Sequence, residues 1–310
     1  MRKGFLFSAL LMPFLVAGTV RAGDGDEDKI SIDPICCDTP SSNWYVGVDL
    51  PVLKPHMGTL GGYFFDHPAV DITPSHDFQV SPRIYLGFDN AEGLGVRARY
   101  WTFDSDAELA FPTDGAHDFD FDFGPGEVSV LGTQSWLSAD TLDLEATQRG
   151  CLGHFQFQLA GGFRYAKMET GVGIYGDYEV DDTDTPYTAG IDMDFEGVGP
   201  TIAIDVRRPF GSRGLALVGN ARSSWMFGKT DINGAGVLDA FPVGIYADDH
   251  MMQINEVSLG VEWSRCLARG GKVTVAAAWE AQAWEWAPVA TLLHQDIGLT
   301  GPTFSFSYMR

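Results

Sequence analysis

Over most of the chain, apolar and polar residues alternate one for one, the period that puts successive side chains on opposite faces of a strand. Leu142, Leu144 and Ala146 alternate with Asp143, Glu145 and Thr147. Phe155, Phe157, Leu159, Phe163 and Tyr165 oppose Gln156, Gln158 and Arg164. Val257, Leu259, Val261 and Trp263 oppose Glu256, Ser258 and Glu262. Gly, Pro and Asp clusters separate these stretches. The pattern predicts an all-β chain of about ten strands, roughly 44–53, 79–88, 94–103, 137–148, 155–168, 195–206, 215–227, 255–265, 272–284 and 299–308. Eight to twelve strands fit the same pattern, because boundaries read this way shift by a few residues. About ten residues is the length of a tilted strand that crosses a bilayer.

The connections alternate long and short. Segments 54–78, 104–136, 169–194 and 228–254 are long, and 90–93, 149–153, 209–214 and 267–271 are short; 285–298 is of middle length. Outer-membrane barrels have long loops outside and short periplasmic turns. An antiparallel up-and-down barrel is therefore expected, with both termini in the periplasm. Closure also removes the sheet edges that an open sandwich must protect.

One face of the strands is charged. Arg83, Arg97, Arg99, Arg164, Arg207 and Arg222 share it with Asp49, Asp143, Glu145, Asp205, Glu256, Glu262 and Glu280. In a membrane barrel that face lines the lumen. Aromatic residues are expected as two girdles. Trp101, Phe103, Trp136, Trp225, Phe227, Trp284 and Trp286 fall at the loop end, and Trp44, Phe88, Phe155, Trp263 and Tyr308 at the turn end.

The first residues change where the chain is expected to act. Arg2 and Lys3 precede an apolar run from Gly4 to Val16, and Val20-Arg21-Ala22 offers small residues for cleavage. That reads as a signal peptide over 1–22, then a periplasmic segment over 23–43 and a barrel over 44–310. The expected location is the bacterial outer membrane. With 42 acidic and 20 basic residues, the net charge of −22 argues against nucleic acid. It also argues against docking on anionic lipid heads through a basic patch.

Several segments together resemble one family. They are LDLEATQRGCLGHFQFQLAGGFRYAKMET from Leu142, FEGVGPTIAIDVRRPF from Phe195, GLALVGNARSSWMFG from Gly214, EVSLGVEWSR from Glu256, AAAWEAQAWEWAP from Ala276, and RARYWTF from Arg97. They are similar to the Legionella-type major outer-membrane protein family. The resemblance implies an outer-membrane barrel with pore activity, and brings no catalytic residues. The chain departs from the usual C-terminal aromatic, since Met309 and Arg310 follow Tyr308.

Candidate chemistry starts with the lumen charges. They either form a charged constriction in a narrow pore or pair with one another and fill the interior. The acidic loops come next: Asp104, Asp106, Glu108, Asp114, Asp118, Asp120, Asp122 and Glu127 in one, Asp177, Glu179, Asp181, Asp182 and Asp184 in another. No run has EF-hand spacing, so a solvated surface is the preferred reading. The run from Asp118 to Phe123 alternates and suggests an outer hairpin. Cys36, Cys37, Cys151 and Cys266 all fall at the periplasmic end and allow three full pairings. His56, His67, His76, His117, His250 and His294 lie singly in expected outer loops and are read as surface residues, not metal ligands. No Gly-x-Ser-x-Gly elbow or P-loop stands out, so neither an enzyme nor a cofactor is expected. The expected partners are outer-membrane lipids, the barrel assembly machinery and small hydrophilic solutes or ions. Passive diffusion through the lumen is the leading functional expectation. A sealed structural or adhesive barrel with functional outer loops is the second.

Overall fold

A computed structural model describes residues 43–57, 74–111, 119–123, 126–180, 183–211, 213–235, 243–268, 270–286 and 296–310. Its strands are β1 (Asn43–His56), β2 (Gln79–Val80), β3 (Arg83–Asp89), β4 (Leu94–Ala110), β5 (Phe119–Phe123), β6 (Gly126–Leu152), β7 (Phe155–Val180), β8 (Thr183–Phe210), β9 (Leu215–Ala235), β10 (Val243–Cys266), β11 (Lys272–Trp286) and β12 (Ile297–Met309). Ten of them form a closed antiparallel barrel in the order β1-β3-β4-β6-β7-β8-β9-β10-β11-β12. β12 returns to β1, with Val46 beside Tyr308 and Leu50 beside Phe304. Arg310 and Trp44 exchange backbone N–H···O bonds of 2.8 and 2.9 Å, so the seam is paired to the last residue.

β2 and β5 stand outside this ring. β2 pairs briefly with β1, and β5 forms the expected outer hairpin with β6. The predicted strand 79–88 is broken at Pro82, which has no N–H for a ladder. The local backbone bonds elsewhere: Ser81 N–H donates to Pro51 (2.8 Å), and Thr102 N–H donates to the Pro82 carbonyl (3.3 Å). Each short turn contains glycine at positive φ, as at Gly93 (82°) and Gly153 (59°), where a side chain would be strained.

The long connections differ from expectation. Much of 104–136, 169–194 and 228–254 is strand, not loop. β7 and β8 stay paired out to Val180 beside Thr183. The frequent Gly and Asp of these stretches suggested loops. Yet Val172, Ile174 and Tyr175 on β7, and Tyr187 and Ile191 on β8, are residues that suit a ladder. Once the membrane-level pairing sets the register, continuing the ladder gives the backbone its hydrogen bonds, with irregularities at Val130/Gly132 and Ala247/His250.

The apolar face changes sides along the strands. At the turn end, the outward positions are apolar and exposed: Val46 and Leu50 on β1, Leu144 on β6, Phe163 on β7, Ile202 on β8, Leu217 on β9, Leu259 on β10, Phe304 and Phe306 on β12. Nearer the loops, the buried apolar residues point inward: Leu53 on β1, Leu137 on β6, Met168 on β7, Phe195 on β8, Met226 on β9, Ile254 on β10, Leu299 on β12. Between the two zones, the outward face turns polar. Tyr100 donates to Asp140 (2.8 Å) and Tyr165 to Glu196 (3.0 Å), and Lys167 pairs with Glu169. An outward apolar belt ending in a polar ring is the surface of a barrel in lipid. Beyond the ring, the wall faces water and its apolar side turns inward, as in a soluble barrel.

This shift corrects part of the expected girdle. Trp101 and Trp284 are 2% and 1% exposed and point into the barrel, as does Phe103. They share a strand face with Arg99 and Glu280, and the apolar phase had already moved inward where they occur. Trp136 faces outward but lies beyond Asp140, above the belt. Trp225, half-buried, and exposed Phe227 share the outward face of β9 nearer its loop end. Trp44, Phe155 and Trp263 are exposed at the turn end, with Phe88 (5.0 Å from Trp44 between ring centroids) and Tyr308 partly exposed beside them. Trp286 ends β11.

Leu259, 71% exposed, sits on the belt. Leu259→Arg is expected to destabilise the barrel in bilayers by about 2–4 kcal/mol. Urea titration of tryptophan fluorescence in vesicles checks this; a change below ~1 kcal/mol would mean that the site does not face lipid.

Candidate functional site

The inward positions of the belt carry the charged residues. Pairing neighbours sets the first contacts. Arg97 lies beside Glu145, and Arg99 and Arg164 flank Asp143 in the ladder. Opposite charges facing each other across strands stabilise a sheet. Arg97 Nε donates to Glu145 (2.9 Å), Arg99 Nε to Asp143 (2.8 Å), and Arg164 Nε and Nη2 to the two Asp143 oxygens (2.6 and 3.0 Å).

A second set of contacts crosses the lumen. Arg99 Nη2 reaches both oxygens of Glu256 at 3.1 and 3.0 Å. β4 and β10 have four strands between them on either side, so this bridge spans the barrel diameter. Arg164 Nη1 meets Glu256 at 2.6 Å. Arg83 grips Glu280 through two nitrogens (3.1 and 2.6 Å), with Asp49 at 3.7 Å. Arg222 donates to Glu145 and to Thr201 Oγ1 (3.2 Å). Thr303 and Gln282 complete Glu280 at 2.9 and 2.8 Å. The Arg164 and Asp143 side chains are fully buried. Toward the turns, Arg97 also holds Asp205 (3.1 Å), which accepts from Asn220 (2.5 Å). Arg207 binds Glu262 (2.8 Å), Gln156 (2.9 Å) and Ser264 (3.2 Å).

Above this layer, toward the loops, lies an apolar one. The Trp101 and Trp284 rings meet across the barrel at 5.9 Å, and Trp101 stacks on Phe103 at 6.0 Å. Leu53, Leu137, Met168, Phe195, Met226, Met252 and Ile254 pack with them. Below the charged layer, a cavity of about 660 Å³ reaches the turn end, where Gly93, Cys151, Lys272 and Met309 line it. Tyr45, Tyr85, Gln158 and Ser258 form part of its wall. Tyr45 lies in the space over Gly87, and Tyr85 over Gly47, positions where any Cβ would strike the ring. Tyr45 and Tyr85 escaped the sequence reading, whereas Gln158 and Ser258 were on its polar face without being counted among the lumen residues. The signal was present, as Tyr45 in phase with Asp49 and Tyr85 in phase with Arg83.

His76 is the other departure. It was expected on the surface, yet it is buried inside the outer end of the barrel. Its Nδ1 lies 2.7 Å from Ser105 Oγ, and its Nε2 lies 2.8 Å from Ser135 Oγ. Burial lowers its pKa from the usual 6.5; Asp106 opposes the shift and Lys54 adds to it. The lowered value means that the folded state binds the proton less readily than the free chain. The anchoring of 74–78 is then intact above pH 6.5 and weakens as pH falls below it. Hydrogen exchange of Ser75–Phe78 should accelerate between pH 7.5 and 5.5, once intrinsic rates are removed. The acceleration should vanish in His76→Asn; if it persists there, another group controls the segment.

The remaining candidates are scattered. His56 bonds Thr300 Oγ1 (2.9 Å) and His250 lies 3.2 Å from Thr230, while His67, His117 and His294 fall outside the described residues. Among the described residues, no group of His, Cys, Asp or Glu has the arrangement of a metal site. Cys151 is exposed and Cys266 half-buried, both at the turn end; Cys36 and Cys37 lie outside the described residues. On β4 the acidic residues lie on the outward face of the extension. Asp104, Asp106 and Glu108 are exposed on β4, and Glu108 accepts from Tyr175 (2.6 Å). Asp177 lies on β7, while Glu179 and Asp184 pair across β7 and β8. Asp120 and Asp122 lie on β5 and Glu127 on β6, whereas Asp114, Asp118, Asp181 and Asp182 fall outside the described residues. Partial burial, with Glu169, Asp192 and Asp231 nearby, raises the pKa of Asp194 from its usual value.

Residues 37–310 match the family described as the Legionella pneumophila major outer membrane protein precursor. The chain belongs to this outer-membrane protein family. Solved structures similar to this Legionella-type barrel include the outer membrane protease OmpT from Escherichia coli, at 12% identity and TM-score 0.46, covering 86% of this chain and 95% of that one. A major outer membrane protein from Thermus thermophilus is 11% identical with TM-score 0.35, covering 87% and 99%. The β domain of the Bordetella autotransporter BrkA is 10% identical with TM-score 0.35, covering 87% and 98%. Among curated proteins no sequence match was found. The Legionella-type barrel is thus an outer-membrane protein by family, and its fold is a closed antiparallel transmembrane barrel.

Proposed function

We propose that this protein is a sealed outer-membrane barrel, a structural or adhesive element whose activity is carried by the acidic β-ribbons outside the membrane. The Arg99–Glu256 bridge carries this reading. It joins opposite walls, and fully buried Arg164 shares the same carboxylate. The packed rings of Trp101 and Trp284 lie above it and support the sealed reading. Arg83, Arg97, Arg99, Asp143, Glu145, Arg164, Asp205, Arg207, Arg222, Glu256, Glu262 and Glu280 would act here as mutual partners that fill the barrel, not as the rim of an open constriction.

A second reading, passive diffusion of small hydrophilic solutes or ions, has one observation in its favour. The cavity of about 660 Å³ already enters from the turn end as far as the charged layer, whose arginines and carboxylates form part of its wall. Within either reading, residues 1–22 act as the export signal, 23–43 lie in the periplasm, and 44–310 are handled by the barrel assembly machinery.

Single-channel recording in planar bilayers separates the two. The refolded, heat-modifiable protein should give a silent bilayer. Steady discrete steps from the unmodified protein would overturn the sealed reading and favour the pore. Neutralising Arg97 and Arg99 together should then shift the ion selectivity of those steps.

A further inference from the structure

The space inside the turn end exists because two neighbouring strands present small residues to it. On the inward face of β11 and β12, Thr274 pairs with Ser307, Ala276 with Ser305 and Ala278 with Thr303. All six line the cavity of about 660 Å³, a volume in the range of small-molecule sites. Beyond β12, the wall changes to larger groups. Tyr85 lies across Gly47 of the next strand, so its ring turns its other face to the cavity. Gly47 also pairs with Ser307, and the Tyr85 hydroxyl stands beside that serine, at the edge of the small-residue wall.

Beside Tyr85, four polar groups close on one another. The Tyr45 ring is 6.4 Å from that of Tyr85 and lies over Gly87, which pairs with Arg97. Arg97 reaches Asp205 (3.1 Å), and Asp205 pairs with Gln158, whose amide faces the Tyr45 hydroxyl. Among the described residues, the buried Tyr45 hydroxyl, Gln158 Nε2 and Arg97 Nη2 have no hydrogen-bond partner. Open buried donors are costly, so they mark a place for an acceptor. With no hydrogen bond to hold its nitrogen, the Gln158 amide can turn toward the cavity. Asp205 is an acceptor on the same wall. Its side chain, 35% exposed, is the most open of the ion-paired carboxylates lining the lumen.

The wall selects against a charged ligand. Each of its arginines already holds a carboxylate: Arg83 holds Glu280, Arg99 holds Glu256, Arg149 holds Asp89, Arg207 holds Glu262, and Arg97 and Arg222 share Glu145. A net charge brought among these pairs meets like charge as closely as opposite charge. A hydroxyl both donates and accepts, which suits Asp205 beside open donors. We infer that the cavity binds an uncharged saccharide, with the Tyr85 ring against the C–H face of a pyranose and Asp205, Gln158, Tyr45 and Arg97 on its hydroxyls. The charged layer closes the cavity above, so the site fills from the turn end and does not depend on conduction through the lumen.

Saturation-transfer difference NMR of the full barrel in amine-oxide micelles, which carry no sugar, provides the test. The probes are glucose, maltose and N-acetylglucosamine, with glucuronate and glucosamine as charged counterparts. At least one neutral probe should bind the unmodified protein with a Kd on the order of 1 mM, and both charged sugars more weakly. Ala276→Phe, which fills the space between the small pairs, should abolish the signal. Tyr45→Phe, which removes one open donor, should raise Kd roughly fivefold, while Lys167→Gln, on the outer rim, leaves it unchanged. Circular dichroism and heat-modifiability verify that each variant is folded. Failure of all three neutral sugars to bind at about 50 mM would overturn the proposal. So would binding that survives Ala276→Phe, or glucuronate binding as tightly as glucose, which would make the cavity an anion site.

Discussion

Glu256→Ala should destabilise the folded barrel by about 3–5 kcal/mol, the cost of leaving buried charges without their partner. Glu256 is the carboxylate on which the cross-lumen contacts converge. Arg99 binds both its oxygens at 3.0 and 3.1 Å, Arg164 lies at 2.6 Å, and Arg83 and Arg222 stand at 3.9 Å. Guanidinium groups do not deprotonate in proteins, so the charge cannot be shed once the carboxylate is gone. Only water entering the layer can relieve it. The substitution should therefore also permit ion passage up to the aromatic layer. Equilibrium unfolding in urea, read by tryptophan fluorescence in vesicles, gives the first quantity. Glu256→Gln separates charge from volume: it keeps the shape and should lose nearly as much as alanine. A loss below ~1 kcal/mol in both would mean that water already solvates these arginines.

Trp101→Ala should cost a similar amount, about 3–5 kcal/mol, for a different reason. Trp101 is among the largest fully buried side chains, stacked on Phe103 at 6.0 Å and facing Trp284 at 5.9 Å. Removing the indole leaves a void that the β-barrel wall cannot close by collapse, because its radius is fixed by strand number and shear. Trp101→Phe should recover a large part of the loss. The measurement is again equilibrium unfolding, best repeated in detergent and in bilayers. An inward core residue gives the same loss in both. A rim residue touching headgroups would give a loss in bilayers alone, and that outcome would return Trp101 to the girdle.

The two tryptophans show where the sequence was legible. Strand existence, the short turns and the charged face followed from period-2 alternation and glycine spacing. Leu142 to Thr147 reads the same way in the sequence and in the barrel. The change of apolar side was also written there. On β6, Leu144 and Leu142 are even-numbered and Ala139 and Leu137 odd. On β7, Phe163 and Tyr165 are odd, and Met168 is even. Scanning each strand for a single apolar face misses such a shift, and aromatic residues just beyond it look like a girdle. The extended ribbons were hidden for another reason. Gly, Asp and Thr are weak local signals for strand, and register inherited from the membrane part decides the matter. His76 gave no local sign of burial, since its serine partners are 29 and 59 residues away. The cross-lumen pairs were likewise beyond sequence reasoning. Parity shows that Arg99 and Glu256 share the interior, but only the closed ring shows that they face each other.

The length of the β7–β8 ribbon beyond the polar ring has a mechanical consequence. Between Lys167 and the end of β7 at Val180, each residue adds about 3.3 Å along a strand tilted by roughly 40°. The ribbon tip is thus carried on the order of 35 Å from the bilayer surface. Because the ribbon is hydrogen-bonded throughout, it resists bending where a loop of equal length would fold back. It works as a stiff mast on a fixed footing, and whatever its tip touches is held at a set height above the cell.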